Sequence, residues 1–202
     1  QKNGTVVTHL KIGATPDSIS AVRVARGHAD LILGCDLVTS ASERILAAAS
    51  RVKTHAVINS HEVMPANFTH DANFDVQGQA LTLRIAAAVT PGGFSAIDAT
   101  DIATKLMGDS IASNLFMLGY AWQKGLVPLS FDALMRAVEL NGAAVEMNKK
   151  AFAWGRMAAH DMAGVQAAAG MGQSVQAADF LGDTHSATEL AFVGEGKLSQ
   201  SL

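Results

Sequence analysis

The chain of 202 residues contains one cysteine, Cys35. A single thiol excludes a disulfide within the chain and an iron–sulfur cluster held by four of its own cysteines. Charge is also scarce. Charged residues make up 16% of the chain and the formal net charge is −3, so there is no cationic field for nucleic acid or an anionic membrane surface. No apolar run reaches about 18 residues, the length that marks a transmembrane helix. The stretch from Gln1 does not read as a signal peptide. With so little cysteine, the cytoplasm is the expected compartment. Internal repeats and low-complexity tracts are missing. So are a Gly-rich phosphate loop and a Ser–His–Asp or Cys–His set. Gly170-Met171-Gly172 has GxG spacing but does not join a strand to a helix. His61, Glu62, His70 and Asp71 fit no standard zinc spacing, and no metal site is expected from them.

What remains is an apolar chain, 49% hydrophobic and dominated by Ala, long enough for one substantial core or a core with an appendage. Thr5 to Ile12 is rich in β-branched residues and ends at Gly13, which predicts a strand. Pro16 opens a short helix or turn running to Val24, with Gly27 as the stop. Asp30 to Cys35 is a short apolar run without alternation, the pattern of a strand buried on both faces of a parallel sheet. Asp36 is placed to cap a helix running to Arg51, with Ile45 and Leu46 inward. Cys35 lies at the carboxyl end of its strand, where open α/β sheets put ligands. It has no visible base to activate it and is expected to be a small core residue.

His55 to Asn59 predicts the next strand, followed by an irregular stretch over 60–71 that is long enough for a lid or an interdomain contact. Asp75 to Thr90 predicts a helix on the four-residue spacing of Leu81, Ile85 and Val89, ended by Gly92-Gly93. Ser95 to Ala99 predicts a short strand, and Thr100-Asp101 cap a helix to Met107. Strands alternating with helices predict an α/β fold, a doubly wound and mostly parallel sheet with helices on both faces. Asp98 and Asp101 are acid/base candidates by position, with strand-end and cap roles as the commoner explanation.

A helical part follows. In Ser110–Lys124 the residues Ile111, Leu115, Leu118 and Trp122 recur at helical spacing and predict the buried face. Asn114 falls between Ile111 and Leu118, so it is expected to point inward, as a structural amide or a binding-site amide. Gly125 and Pro128 stop this helix. Ser130 caps a second helix with Phe131, Leu134, Met135 and Val138 inward, ended by Asn141-Gly142. A third helix is predicted over 144–169, with Met147, Ala151, Trp154 and Ala158 on one face and Phe152 and Gly155 near the other edge. Gly155 in a helix costs about 1 kcal/mol against Ala, which a close backbone approach would offset. Residues 179–202 are mixed and Gly/Ser-punctuated.

The ordered set Asn114, Leu118-Gly119, Val127-Pro128 and Asn148-Lys149-Lys150-Ala151-Phe152-Ala153-Trp154-Gly155 resembles the gamma domain of the 2-oxoacid:ferredoxin oxidoreductases. Ala25-Arg26-Gly27-His28-Ala29-Asp30 and the apolar run after it resemble that family's Gly-x-Ala-Asp segment. The resemblance is nearest to the fused indolepyruvate ferredoxin oxidoreductases of bacteria. It covers residues 1–170, with 171–202 as a C-terminal extension. It implies a piece of a larger polypeptide whose preceding strand and Gly-rich loop are not in this sequence.

The resemblance further implies oxidative decarboxylation of an aryl pyruvate to an acyl-CoA. In the full enzyme it implies thiamine diphosphate, magnesium and 4Fe-4S clusters. This chain itself is expected to bind none of them and to be inactive alone. The partners implied are the enzyme's other domains, CoA, ferredoxin and further copies of the enzyme. Lys2, Asn3 and Asn114 are then the expected wall of a substrate or CoA channel, Lys2 as a point charge for a phosphate. Gln1-Lys2-Asn3-Gly4 reads equally as a frayed terminus. A nucleotide-binding reductase domain and a non-catalytic docking module with an apolar patch near Trp122 and Trp154 are the competing functions.

Overall fold

The computed structural model describes residues 5–19, 21–61 and 72–171. Lys2, Asn3, Glu62, His70, Asp71 and the tail over 172–202 lie outside the described residues. Packing divides the chain into two compact units, one within Gln1–Ile97 and one within Asp98–Leu202.

The first unit is built on three strands, β1 (Leu31–Gly34), β2 (His55–Asn59) and β3 (Phe94–Ile97). They form a parallel sheet in the order 1-2-3, with Leu31 opposite His55 and Ala56 opposite Phe94. Helices α1 (Leu37–Ser40), α2 (Glu43–Leu46) and α3 (Ala72–Ala88) make the connections. Neighbouring parallel strands need crossover connections, which these helices supply. Ile32, Ala56 and Ile58 of the sheet meet Leu37 of α1 and Ala41 just after it, together with Ile85 of α3 and Val89 just after it; Leu81 flanks them. The α/β class and the parallel sheet are as the sequence predicts.

Three local expectations fail for identifiable reasons. Thr5–Ile12 is not a strand, and Val6 and Leu10 are about four-fifths exposed, at 82% and 79%. β-branched content is a propensity; a ladder also needs a partner. The helix expected from Asp36 to Arg51 is broken into α1 and α2. Ser40 Oγ donates to the Asp36 carbonyl at 2.5 Å, and Ser42 is extended. Beyond α2, the carbonyls of Ala47 and Ala48 accept from Gly27 N at 3.0 Å and Ala29 N at 2.9 Å, bonds that tie this turn to the loop ahead of β1. Cys35 is exposed, not a core residue, because it lies past the last strand residue, Gly34.

The second unit is helical: α4 (Ala99–Met107), α5 (Ser113–Gln123, led by a 3-10 turn at Ser110–Ala112), α6 (Phe131–Asn141), α7 (Val145–His160) and α8 (Met162–Ala168). Three of these helices, α4, α6 and α8, start at side-chain caps, and the cap of α4 is Asp98 rather than the expected Thr100-Asp101. Asp98 accepts from Asp101 N at 2.9 Å, Ser130 from Ala133 N at 3.2 Å and Asp161 from Gly164 N at 2.9 Å. The expected helix over 144–169 is therefore two helices. Asp161 leaves helical geometry to cap α8. Among the described residues no helix is long and apolar enough to cross a membrane.

The buried face of α5 is also not the predicted one. Ser113, Phe116, Met117, Tyr120 and Ala121 are inside. Asn114 is exposed, and Ile111 is 61% exposed. The helix is apolar on both sides, so periodicity alone cannot choose between them. Small residues decide it. Gly119 and Ala121 lie on the side of Phe116 and Tyr120, where α7 packs closely.

Candidate functional site

Two places combine chemistry-bearing side chains with rigid support. The first is the carboxyl edge of the sheet, where parallel α/β folds present loops to ligands. Asp36, one residue past Cys35, accepts from Thr39 N at 2.5 Å and so caps α1. Asn59 ends β2 and is buried; its Nδ2 donates to the Cys35 carbonyl at 3.4 Å, and its Oδ1 accepts from His61 N at 3.2 Å. One amide thus ties the exits of β1 and β2 together. In the sequence the one signal of this role is a polar residue, Asn59, closing the run Ala56–Ile58.

The Cys35 thiol is exposed by area yet crowded by its neighbours. Its pKa is raised, first by desolvation and then by the Asp36 carboxylate. That is opposite to the lowered pKa an activated nucleophile requires. Alkylation by iodoacetamide should accordingly be slow at neutral pH and rise only above the titration range of an ordinary thiol. Asp36→Asn should shift the rate profile to lower pH while desolvation keeps it above the ordinary range. A rate profile centred at or below that of an ordinary exposed thiol would contradict this account.

The second place is the helical unit, where the motif residues have structural explanations. Gly119 on α5 faces the Phe152 carbonyl, and a Cβ there would lie 2.1 Å from that oxygen. Gly155 on α7 faces the Phe116 carbonyl in the same way, at 1.9 Å. The two glycines form a reciprocal notch that lets α5 and α7 touch backbone to backbone. The close approach expected at Gly155 is present, but Phe152 and Gly155 are buried at the crossing, not at an edge.

Asn148 fixes the turn into α7. Its Nδ2 donates to the Ala143 carbonyl at 2.9 Å, beside Ala144, which holds a left-handed φ of 45° without being glycine. Trp122, Phe131 and Phe152 form a closed aromatic triangle with centroids 5.9–6.1 Å apart. The Arg156 guanidinium lies 4.7 Å from the Trp122 centroid and 5.2 Å from that of Phe131, and its Nε donates to Gln123 Oε1 at 2.9 Å. Trp122 is therefore half-buried in this cluster, with its Nε1 donating to the Leu129 carbonyl at 2.7 Å.

These supports leave Asn114 exposed in the first turn of a helix held from behind by α7. Asp98 and Asp101 serve as cap and ion-pair partner, Asp101 to Lys105 at 2.7 Å. Among the described residues no three His, Cys, Asp or Glu side chains converge to hold a metal.

An open parallel α/β unit followed by a helical unit with a glycine-notched crossing defines the architectural class. A family profile described as "Pyruvate ferredoxin/flavodoxin oxidoreductase" matches residues 1–158, and the chain belongs to that family. It is thus a 2-oxoacid:ferredoxin oxidoreductase-type domain, from a family of oxidoreductases. The chain matches none of the curated proteins and none of the solved structures with which it was compared.

Proposed function

We propose that the chain is the gamma-type domain of an indolepyruvate-type ferredoxin oxidoreductase. That enzyme would oxidatively decarboxylate aryl pyruvates, release an acyl-CoA and pass electrons to ferredoxin. The observation that carries the reading is the family match over residues 1–158. The finer assignment rests on the ordered motif from Asn114 to Gly155, which resembles the fused bacterial enzymes.

Thiamine diphosphate would supply the electron sink for decarboxylation. The described residues of this chain offer no ligand set for the metal groups. One cysteine cannot furnish a four-cysteine cluster, and the described carboxylates and histidines form no metal cage. The proposal therefore assigns thiamine diphosphate, magnesium and the 4Fe-4S clusters to other parts of the enzyme and places the enzyme in the cytoplasm.

The role left to this chain is binding and orientation. Asn114 presents a paired donor and acceptor on a rigid helix, suited to an amide or carboxylate of CoA or the oxoacid. Lys2 and Asn3 are proposed CoA contacts, Lys2 through a phosphate.

The test uses the enzyme that carries this chain, assayed anaerobically with CoA and a viologen dye. Indolepyruvate and phenylpyruvate should be turned over with a higher kcat/KM than pyruvate; a preference for pyruvate would refute the substrate assignment. Asn114→Ala should raise KM for CoA or oxoacid about ten-fold with kcat nearly unchanged, the signature of lost uniform binding. Unchanged constants for both ligands would remove Asn114 from the site.

A further inference from the structure

The chain is acidic overall, yet the two segments that lead into β1 and β2 carry Arg23, Arg26, Arg44, Arg51 and Lys53, all of them exposed. The fold brings their two segments together. Gly27 N donates to the Ala47 carbonyl at 3.0 Å and Ala29 N to that of Ala48 at 2.9 Å. Thr54, fully buried, accepts from Ser50 N at 2.7 Å and donates to the Ala29 carbonyl at 2.6 Å. Lys53 pairs with Asp30 at 2.8 Å. The four arginines make no ion pair among the described residues. Only Asp30 and Glu43 offset these five cations on the same segments. Beside them stand Val22 and Val52, 91% and 88% exposed.

Unpaired guanidinium groups interleaved with bare apolar side chains make a protein-binding surface rather than a small-anion pocket, which would bury its donors. The surface is also too charged for a permanent interface, whose centre is depleted of charge. It suits a brief, electrostatically steered encounter, as between electron-transfer partners. We propose that this patch docks the acidic face of the small electron-carrier protein that receives the enzyme's electrons. The proposal rests on the reading of the chain as part of a ferredoxin-reducing enzyme.

The test uses the enzyme carrying this chain, with the double variants Arg23→Glu/Arg26→Glu and Arg44→Glu/Arg51→Glu and their Gln counterparts. Each is assayed with a ferredoxin of net negative charge and, separately, with a viologen dye. KM for ferredoxin should rise about ten-fold in the Glu variants and less in the Gln variants, while the dye-coupled rate stays unchanged. The wild-type kcat/KM for ferredoxin should fall as salt rises, and the variants should flatten that slope. An unchanged ferredoxin KM and salt slope would overturn the proposal. So would a rise in KM for CoA instead, which marks a phosphate site, or a loss of the dye-coupled rate, which marks a contact holding the enzyme together. Failure of the wild-type dye assay with every 2-oxoacid would instead count against the proposed function.

Discussion

Gly155→Ala should destabilise the helical unit by about 3 kcal/mol, although alanine is the better helix former. Where space is open, the same change would gain about 1 kcal/mol from propensity alone. The sign is settled by what the new methyl meets. Its Cβ would lie 1.9 Å from the Phe116 carbonyl oxygen, 2.8 Å from its carbon and 2.9 Å from Tyr120 N. All three are backbone atoms of α5, so no rotamer change relieves the clash and the helices must separate.

Separation would uncover Phe116 and Phe152, which are almost completely buried. Gly119→Ala meets the Phe152 backbone at 2.1 Å and should cost a similar amount. The double variant should cost less than the two singles together, because helices already apart accommodate the second methyl. Urea denaturation of the 202-residue chain, followed by tryptophan fluorescence, checks each value. A stability equal to or above wild type in either single variant would show that the crossing is looser than described. In thermal melts the expected drop is roughly 10 °C, at about 2–4 °C per kcal/mol for a chain of this size.

Arg156→Ala should cost about 3 kcal/mol, through lost packing more than lost charge. The side chain is only 4% exposed and its guanidinium lies over Trp122 and Phe131. Truncation leaves a gap between two rings and frees Gln123 Oε1 of its donor. Stacking of a cation on aromatic faces contributes about 1–2 kcal/mol of the loss, and the cavity the rest. Arg156→Met should recover more than half, because it refills the volume without burying a charge. Arg156→Lys should recover less, since an ammonium cannot stack as a plane and still reach Gln123. The order Met above Lys above Ala, read as denaturation midpoints, is the discriminating result. Equal costs for all three would mean that the stack contributes nothing.

How much of this was legible beforehand differs between elements. β2 was readable to the residue from His55–Asn59, and α6 from Ser130 and Gly142, because strand runs and caps are local chemistry. The motif from Leu118-Gly119 to Gly155 was readable as a family resemblance, but its meaning was not. Nothing local says that Gly119 and Gly155, more than thirty residues apart, press into each other's helix. Asn114 was misplaced for the same reason. α5 carries apolar residues on two faces, and only the position of α7 shows which one is covered.

By itself the sequence determined the α/β class, the parallel sheet, the caps at Asp36 and Ser130 and the family, since each is written in short-range pattern or ordered motifs. The tertiary structure alone decided that Thr5–Ile12 stays out of the sheet, that Asn114 faces outward and Cys35 is exposed. It alone showed that the segments carrying Arg26 and Arg51 are tied together by backbone hydrogen bonds, with these arginines in no ion pair among the described residues. Those outcomes depend on which distant backbone groups and side chains come into contact, and contact between distant residues has no signature in local periodicity.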